Sequence, residues 1–344
     1  MHNMAKKQYI SASLLSKAEQ LRDSIIALRP IPRETLKSQR EYYRIGLTYS
    51  SNALEGNSLT ESETKVVVED GLTINGKPLR DVYEAVGHAH AYDYISSLAI
   101  NKPLEVDDIL ELHRLFYEKI NVAQAGHYRT VPVFVSGSSY AVTPPAKIEA
   151  EMKRFVKWFN ANEQKLPTPE FAALAHQKFV FIHPFVDGNG RVARLILNMA
   201  LLRGEYTIAL IPAILRHEYV QSLEASHKEP SVFVDFMAER IIATQMDLLR
   251  LLKDGGVNPR NGGANGGVKV RNGGANLSAL LHQTIQEHPG KNAPALAGIL
   301  QKSLRTIQRH LKTLSDQGVI EFRGAAKNGG YYSMDDEETV NLSH

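Results

Sequence analysis

The chain has 344 residues with a formal net charge of +3, and hydrophobic residues make up 43% of it. This length allows two or three domains with a sizeable core, and the small net charge provides no overall attraction to nucleic acid or membrane. The sequence contains no cysteine, which excludes disulfides, a cysteine nucleophile and a cysteine-ligated metal. This composition fits a reducing compartment, and we predict a cytoplasmic protein.

The N-terminal segment carries no targeting or membrane signal. Between Met1 and Leu28 the apolar runs are short, and charged residues such as Lys17 and Arg22 interrupt them. A signal-peptide core needs an unbroken apolar stretch, and a membrane-spanning helix needs about 20 apolar residues. We therefore predict no signal peptide and no membrane contact.

The chain up to about residue 253 has mostly helical periodicity. Apolar residues recur three to four positions apart, for example at Ile109, Leu112 and Phe116, which is the pattern of one buried helix face. The sequence Asn-Lys-Pro at 101–103 interrupts this pattern, so we place a division near residue 100. Residues 131–140 instead alternate and are rich in β-forming side chains, which predicts a short β-hairpin.

The most informative segment is the run HPFVDGNGRVAR from His183 to Arg194. Glycines on both sides of Asn189, followed by the start of a helix, predict an anion-binding nest. Backbone N–H groups converge in such a nest, and the helix terminus adds partial positive charge. Arg191 and Arg194 are three residues apart, so both can point toward one phosphate chain from one helix face.

Two other residues of this run supply the remaining chemistry. Asp187, at the rim of the nest, is a hard oxygen ligand suited to Mg²⁺ that is shared with phosphate oxygens. His183 precedes the nest and is a candidate general base, because neutral imidazole accepts a proton near pH 7. A helix–loop–helix corner with a buried histidine and surface arginines is the structural alternative.

The C-terminal part of the chain predicts a linker and a second domain. Residues 254–276 are rich in glycine and asparagine, with NGGA occurring twice, which favours a flexible linker over a large ordered loop. Helices predicted at 277–288, 294–300 and 303–317 precede strands at 319–322 and 330–333. This order is typical of a winged helix-turn-helix domain.

The third helix of that domain is basic on one face, and no acid occurs between residues 301 and 312. Such a face is typical of a DNA-recognition helix, in which Arg305, Gln308 and Arg309 would contact the duplex. A solvated helix face, or a winged helix that binds a protein, would show the same pattern.

The run at 183–194 matches H-P-F-x-[D/E]-G-N-G-R-x-x-R at every specified position, and through it the chain resembles the Fic family. The resemblance covers about residues 40–245 and implies transfer of AMP from Mg²⁺-ATP to a Ser, Thr or Tyr hydroxyl of a target protein or of the chain itself. His183 would deprotonate that hydroxyl, and Asp187 would hold Mg²⁺. The residues implied to bind phosphates are Gly188, Asn189, Gly190, Arg191 and Arg194.

Two further segments resemble family elements more loosely. Gly126-His127-Tyr128-Arg129 resembles the G-x-Y-R motif that leads into the predicted hairpin. The flap that aligns a target backbone beside the nucleotide by strand addition would then comprise Val133, Phe134, Val135 and Ser136. An ordinary β-hairpin is the alternative. Residues 217–223 resemble the helix that lines the adenine pocket, with Tyr219 as either an adenine contact or a buried structural tyrosine.

The segment Ser51-Asn52-Ala53-Leu54-Glu55-Gly56 matches the family's inhibitory pattern [S/T]-x-x-x-E-[G/N]. Ser51 and Glu55 share one helix face at i and i+4, and Gly56 is a suitable left-handed helix stop. The resemblance implies that Glu55 pairs with Arg194, in a bidentate geometry, and so either displaces the γ-phosphate of ATP or tilts ATP so that its α-phosphate is out of line. A surface glutamate at a glycine-capped helix end is the alternative.

Together these features predict a mostly α protein with four parts. They are an N-terminal helical region with an inhibitory helix (1–100), a Fic-type helical core with a β-hairpin flap (101–253), a linker (254–276) and a winged helix α+β domain (277–344). The predicted function is a protein adenylyltransferase restrained by Glu55. Use of another nucleotide, removal of AMP, and a nucleotide-sensing DNA-binding regulator remain open, as does a homodimer.

Overall fold

The computed structural model describes residues 8–98, 102–135, 137–254, 274–300, 304–316, 319–324 and 329–334. The chain divides into two compact units, residues 1–263 and 264–344. The predicted linker at 254–276 lies outside the described residues except at its two ends. Within the described ranges, no helix is both long enough and apolar enough to cross a bilayer.

The first unit is helical, which confirms the predicted mostly α fold class. A π-helical turn at Val66–Asp70 follows the third helix, and short 3-10 turns precede the sixth and ninth. The helices are α1 (Ala12–Ile26), α2 (Arg33–Ala53), α3 (Glu61–Lys65), α4 (Leu79–Leu98), α5 (Val106–Tyr117), α6 (Ile148–Asn162), α7 (Thr168–Ile182), α8 (Asn189–Arg203), α9 (Arg216–Ala225) and α10 (Pro230–Asp254).

Helix α8 lies at the centre of the first unit. Every residue from 191 to 201 is buried, as expected for a helix surrounded by other elements on all sides. Helix α7 packs along it, and α2, α4 and α5 cover other parts of its surface. Because both α7 and α8 are fixed in the core, the six-residue loop between them, 183–188, is held at both ends.

Residues on either side of position 100 share one core. Leu47 and Ile95 belong to the same buried cluster as Phe116 and Phe179, and α4 packs against α5. Packing therefore does not separate residues 1–100 as an independent unit. The functional boundaries that we assigned to the chain remain predictions.

The segment predicted as a β-hairpin, residues 131–140, is an open loop in its described part, which omits Ser136. Backbone groups that would form a strand ladder bond to side chains instead. The Val131 carbonyl accepts from Arg129 at 3.0 Å, and the Ser139 N–H donates to Glu224 at 2.7 Å. Pro132 has no N–H to contribute. The alternating pattern therefore describes extended chain without a paired strand.

The second unit has its own small core. Helices α11 (Gly274–Glu287), α12 (Ala293–Ile299) and α13 (Leu304–Asp316) precede an antiparallel pair, β1 (Ile320–Arg323) and β2 (Gly330–Ser333). This is the order of elements that the sequence predicts. The side chains of Arg305 and Arg309 lie outside the described residues, whereas Gln308 is exposed. The winged-helix assignment and DNA recognition stay predictions.

We predict that Gly87→Ala destabilises the first unit. A Cβ at Gly87 in α4 would lie 2.3 Å from the carbonyl oxygen of Phe116 in α5, and a backbone atom cannot rotate away. The expected loss in the free energy of unfolding is about 1–3 kcal/mol, measured by urea denaturation. Gly46→Ala is the control, since its Cβ would meet Leu210 only at 3.4 Å and should be neutral or stabilising. Equal stabilities of the two variants would contradict the close α4–α5 crossing.

Candidate active site

His183 stands at the end of α7 with its side chain facing a cavity. Its backbone is left-handed, with φ of 53°, a conformation uncommon outside glycine, and its N–H still bonds to the Phe179 carbonyl at 3.1 Å. This turn directs the chain into the loop 183–188. The cavity has a volume of about 470 Å³, and His183, Gly190, Glu55 and Tyr219 contribute to its lining.

The loop between α7 and α8 is braced from inside by Asn189. Its side-chain oxygen accepts from the Phe185 N–H at 2.9 Å, and its side-chain nitrogen donates to the Phe185 carbonyl at 2.8 Å. Phe185 is fully buried, and its ring stacks on His113 at 3.8 Å between centroids. Asn189 therefore fixes the loop with its side chain, and only its backbone is free to face a phosphate.

The partners of His113 fix its tautomer. The Gly126 N–H donates to Nδ1 at 3.0 Å, so Nε2 carries the hydrogen and donates to the Asp187 carbonyl at 3.1 Å. Burial lowers the pKa of His113 to about 4, which keeps the ring neutral. His113 belongs to no motif in the sequence, although the helical periodicity indicates that it lies on the buried face of α5.

The two glycines allow close approaches on opposite sides of the nest. Gly188 has φ of 81°, and a Cβ there would lie 2.9 Å from the Phe116 ring. A Cβ on Gly190 would lie 2.4 Å from Oε1 of Glu55. The first turn of a helix leaves N–H groups without intrahelical partners, so the start of α8 presents donors and positive potential at this point. Glu55 lies directly beside them.

Arg194 is buried, and the end of α2 supplies most of its partners. Its Nη2 donates to Glu55 at 2.8 Å and to the Ser51 carbonyl at 2.8 Å, and its Nε donates to the Ser51 hydroxyl at 2.9 Å. Because Ser51 takes the Nε edge, Glu55 pairs through one oxygen only. The bidentate pairing implied by the sequence is not formed. Gly56 has φ of 92°, as predicted for the helix stop.

Tyr219 is buried and directs its hydroxyl into the core. The hydroxyl lies 2.9 Å from Nε2 of His176 and accepts from Nη1 of Arg194 at 3.3 Å. Burial lowers the pKa of His176 well below its usual value, so this ring is neutral. These contacts favour the structural alternative for Tyr219, whose ring still lines the cavity. Nothing in the sequence marks His176 as a site residue except that it lies seven positions before His183.

Arg191 lies in a different environment from Arg194. Its guanidinium is 4% exposed and pairs with Glu84 at 2.9 Å and with Asp187 at 3.2 Å, while it lies over the Phe116 ring at 4.5 Å. In this arrangement Arg191 orients Asp187 instead of facing the cavity. Glu84 could not be identified from the sequence, because its position on a distant helix has no fixed spacing from the motif at 183–194.

Asp187 keeps one side open to solvent and is 37% exposed. Burial alone would raise its pKa, but Arg191, the Gly188 N–H and Arg80 outweigh burial and lower it, so the carboxylate is ionised. The described residues contain no group of three or more His, Asp or Glu side chains that could hold a metal. A single carboxylate fits Mg²⁺ that takes its other ligands from phosphates and water.

Arg129 connects the loop 183–188 to the open loop 131–140. Its N–H donates to the Pro184 carbonyl at 2.9 Å and its Nε to the His183 carbonyl at 2.8 Å. Its guanidinium also donates to the carbonyls of Val131 and Thr143. In the sequence, Arg129 is recognisable only as the last residue of the G-x-Y-R motif. Through these contacts, Arg129 holds both sides of the predicted flap against the loop 183–188.

The predicted flap residues lie at the mouth of the cavity where they are described. Val135 lines the cavity beside His183, and Phe134 is 97% exposed. Val133 contributes with both of them to an adjoining cavity of about 270 Å³. Ser136 lies outside the described residues. Phe134 and its neighbour Val135 are both exposed, and a contiguous exposed apolar patch, unlike a single exposed residue, is typical of a surface that contacts a partner.

The protonation states suit a general base next to an ionised carboxylate. Burial lowers the pKa of His183 below its usual 6.5, so the imidazole is neutral near pH 7. Burial would raise the pKa of Glu55, but Arg194 and Arg191 outweigh it and lower the value below 4.5. The site therefore combines a neutral histidine, an anion nest, and a carboxylate beside that nest.

Comparison with known proteins assigns the family. Residues 103–201 match the Fic/DOC family. A protein adenylyltransferase Fic from Nematostella vectensis is 34% identical over 239 residues, which are 68% of this chain and 55% of that protein. Among solved structures, a fragment of Fic-1 from Caenorhabditis elegans has a TM-score of 0.65 at 30% identity, covering 71% of this chain and 73% of that one.

A second solved structure is a Fic domain containing signaling protein from Bacteroides thetaiotaomicron. It has a TM-score of 0.64 at 28% identity and covers 69% of this chain and 98% of that one. The chain therefore belongs to the Fic/DOC family. It spans about half the length of the curated relatives that it matches.

We predict that the Glu55–Arg194 pair stabilises the fold in a pH-dependent way. The folded pKa of Glu55 lies below the unfolded value of 4.5. The stabilisation is therefore fully present above about pH 4.5 and is lost as the pH falls through the folded pKa. The measurement is the difference in unfolding free energy between wild type and Glu55→Gln from about pH 7 to about pH 3. This difference should shrink in acid.

Glu149→Gln is the matched control, since Glu149 forms an exposed pair with Lys153 on the surface of α6. Its difference from wild type should be smaller over the whole range, because exposed pairs contribute little. A Glu55→Gln difference that does not change with pH would show that the Glu55 carboxylate is not paired in solution.

Proposed function

We propose that this chain is a protein adenylyltransferase that uses Mg²⁺-ATP and is inhibited by its own Glu55. The observation that carries the proposal is one cavity lined by His183, by Gly190 of the nest, and by Glu55, which pairs with the buried Arg194. Curated relatives that match 67–74% of this chain are named protein adenylyltransferase.

The cavity has the chemistry of a nucleotide site. Its lining includes the apolar side chains of Val180, Val220 and Leu223, and apolar walls with a few polar groups suit a nucleobase. Its other end is the nest, where Gly190 and the start of α8 would bind the phosphates. Arg194 would bind the terminal phosphate once Glu55 leaves it.

The proposed chemistry follows from the position of His183. The neutral imidazole takes the proton of a Ser, Thr or Tyr hydroxyl as its oxygen bonds to the α-phosphorus, and the bond to the β-phosphate oxygen breaks to release pyrophosphate. Asp187 would hold Mg²⁺ jointly with phosphate oxygens, and the metal supplies neutralisation of the phosphate charge. Arg191 keeps Asp187 oriented through their 3.2 Å contact.

The open loop at 131–140 would present the target protein. Arg129 fixes the start of this loop beside the His183 carbonyl, so a backbone that adds to the loop reaches the base in a fixed register. Phe134 and Val131 are exposed there and would contact the target through apolar surface. Ser138 and Glu224 bond at 2.8 Å and fix the far end of the loop to α9.

Inhibition follows from charge and space. The Glu55 carboxylate lies where a Cβ on Gly190 would meet it at 2.4 Å, so it occupies the phosphate side of the nest. It also engages the guanidinium of Arg194. A γ-phosphate placed there would face a carboxylate and find its arginine already paired. The other predictions for this chain, namely AMP removal, another nucleotide, a homodimer, DNA recognition and the cytoplasmic location, stay open.

Replacement of His183 tests the assignment of the base. His183→Ala should leave ATP binding nearly intact and lower AMP transfer by roughly 10² or more. The wild-type rate should be flat near pH 7 and should fall in acid, through the lowered pKa of His183, because protonation removes the base. The measurement is incorporation of label from ATP labelled at the α-phosphate. Undiminished transfer by His183→Ala would refute the mechanism.

Replacement of Glu55 tests the inhibition. Glu55→Gly should free Arg194 for the γ-phosphate and raise self-modification by about ten- to a hundredfold, the range for a charge-assisted pair that is partly desolvated. Arg194→Ala should stay inactive, alone or combined with Glu55→Gly, because it removes the phosphate ligand. The measurement is the initial rate for all four proteins at saturating Mg²⁺-ATP. A Glu55→Gly rate no higher than wild type would exclude Glu55 as an inhibitor.

A further inference from the structure

Arg80 contacts the candidate metal ligand from a part of the chain that no motif includes. It lies in the first turn of α4, and its Nη2 is 2.7 Å from Oδ2 of Asp187. Its Nε donates to Oε1 of Glu84, one turn further along the helix, at 3.1 Å. The Arg80 side chain is 56% exposed. It is therefore a cation that touches Asp187 from the solvent side.

The hydrogen-bonding positions of Asp187 are all in use. Oδ1 accepts from the Gly188 N–H at 2.6 Å and from Arg191 at 3.2 Å. Oδ2 accepts from Arg80 at 2.7 Å and from the Tyr117 hydroxyl at 3.5 Å. A carboxylate offers about four acceptor positions. A divalent cation that binds Asp187 therefore competes with these donors.

Of the two arginines that bond to Asp187, Arg80 can leave more easily. The Gly188 N–H belongs to the braced loop, and the Arg191 guanidinium is 4% exposed and lies between Glu84 and Phe116. A magnesium ion binds oxygen at about 2.0–2.1 Å, so it would occupy the face of Oδ2 that Arg80 now covers. Repulsion between the two cations also favours departure of the arginine.

Glu84 gives Arg80 a second position nearby. The Glu84 side chain is 7% exposed, and its Oε1 already accepts from Nε of Arg80. Its Oε2 accepts from Asn57 at 3.0 Å, which fixes the carboxylate against the turn that follows Glu55. Rotation of the Arg80 guanidinium can therefore break the contact with Asp187 while the contact with Glu84 remains.

We propose that Arg80 is a positioning residue that covers the metal-binding face of Asp187 and withdraws to Glu84 when a divalent cation binds. Arg80 thereby raises the metal concentration that the site needs, and it neutralises Asp187 while no metal is bound. This inference rests on the proposed function, because it takes Asp187 as the metal ligand of a nucleotide site.

The test measures metal binding and not activity. In the Glu55→Gly background, binding of Mn²⁺ together with a non-hydrolysable ATP analogue is followed by the loss of the free Mn²⁺ electron paramagnetic resonance signal. Arg80→Ala should lower the dissociation constant for Mn²⁺ by about two- to fivefold, the range for an exposed ion pair. Arg80→Lys, which keeps the charge, should stay near the parent value. Arg154→Ala, at an exposed pair on α6, is the control for general charge.

The outcomes separate this inference from the function that it rests on. If Arg80→Ala binds Mn²⁺ no more tightly than the parent, Arg80 does not compete with the metal, and the inference fails. If Arg80→Lys binds as tightly as Arg80→Ala, the charge is not the cause, and the inference also fails. Asp187→Asn tests the metal site itself: unchanged Mn²⁺ binding in that variant would overturn the proposed metal ligand, whatever Arg80 does.

Discussion

The burial of Arg194 is the constraint on which the rest of the site depends. A guanidinium that is 2% exposed is stable only when charge and hydrogen bonds replace its hydration. Ser51, Glu55 and Tyr219 supply them. The end of α2 therefore replaces part of the hydration of Arg194. An anionic ligand that replaces Glu55 must supply the same negative charge and hydrogen bonds to Arg194. Glu55 and such a ligand are therefore alternative partners of this one arginine.

The same requirement explains the second charge cluster of the site. Arg191 is buried between the carboxylates of Glu84 and Asp187, and Arg80 contacts both of these acids. Two arginines and two acids balance, so this cluster carries no net charge of its own. Glu84 also bonds to Asn57, just after the inhibitory helix. Helix α4 therefore links the orientation of Asp187 to the position of the turn that carries Glu55.

Much of the fold and site could be predicted from local sequence. The helical periodicity predicted the class, because a buried helix face imposes a repeat that any part of the chain shows by itself. The run 183–194 specified its own loop, since its glycines, its asparagine and its buried phenylalanine act within a few residues of one another. Whether residues 131–140 pair as a β-hairpin could not be predicted in this way. An alternating pattern signals extended backbone, whereas strand pairing depends on partners that Arg129 and Glu224 occupy here.

The candidate base, the nest and Glu55 as the predicted inhibitory residue could be identified from the sequence, because each belongs to a short motif with fixed spacing. The hydrogen-bond and ion-pair partners of those residues depend on the tertiary structure. It placed Arg191 on Glu84 and not in the cavity, turned the Tyr219 hydroxyl toward His176, and brought Arg80 to Asp187 across 107 residues of chain. The physical reason is that buried charges select their partners by proximity in the folded core, and proximity between distant helices is set by packing and leaves no mark in local sequence.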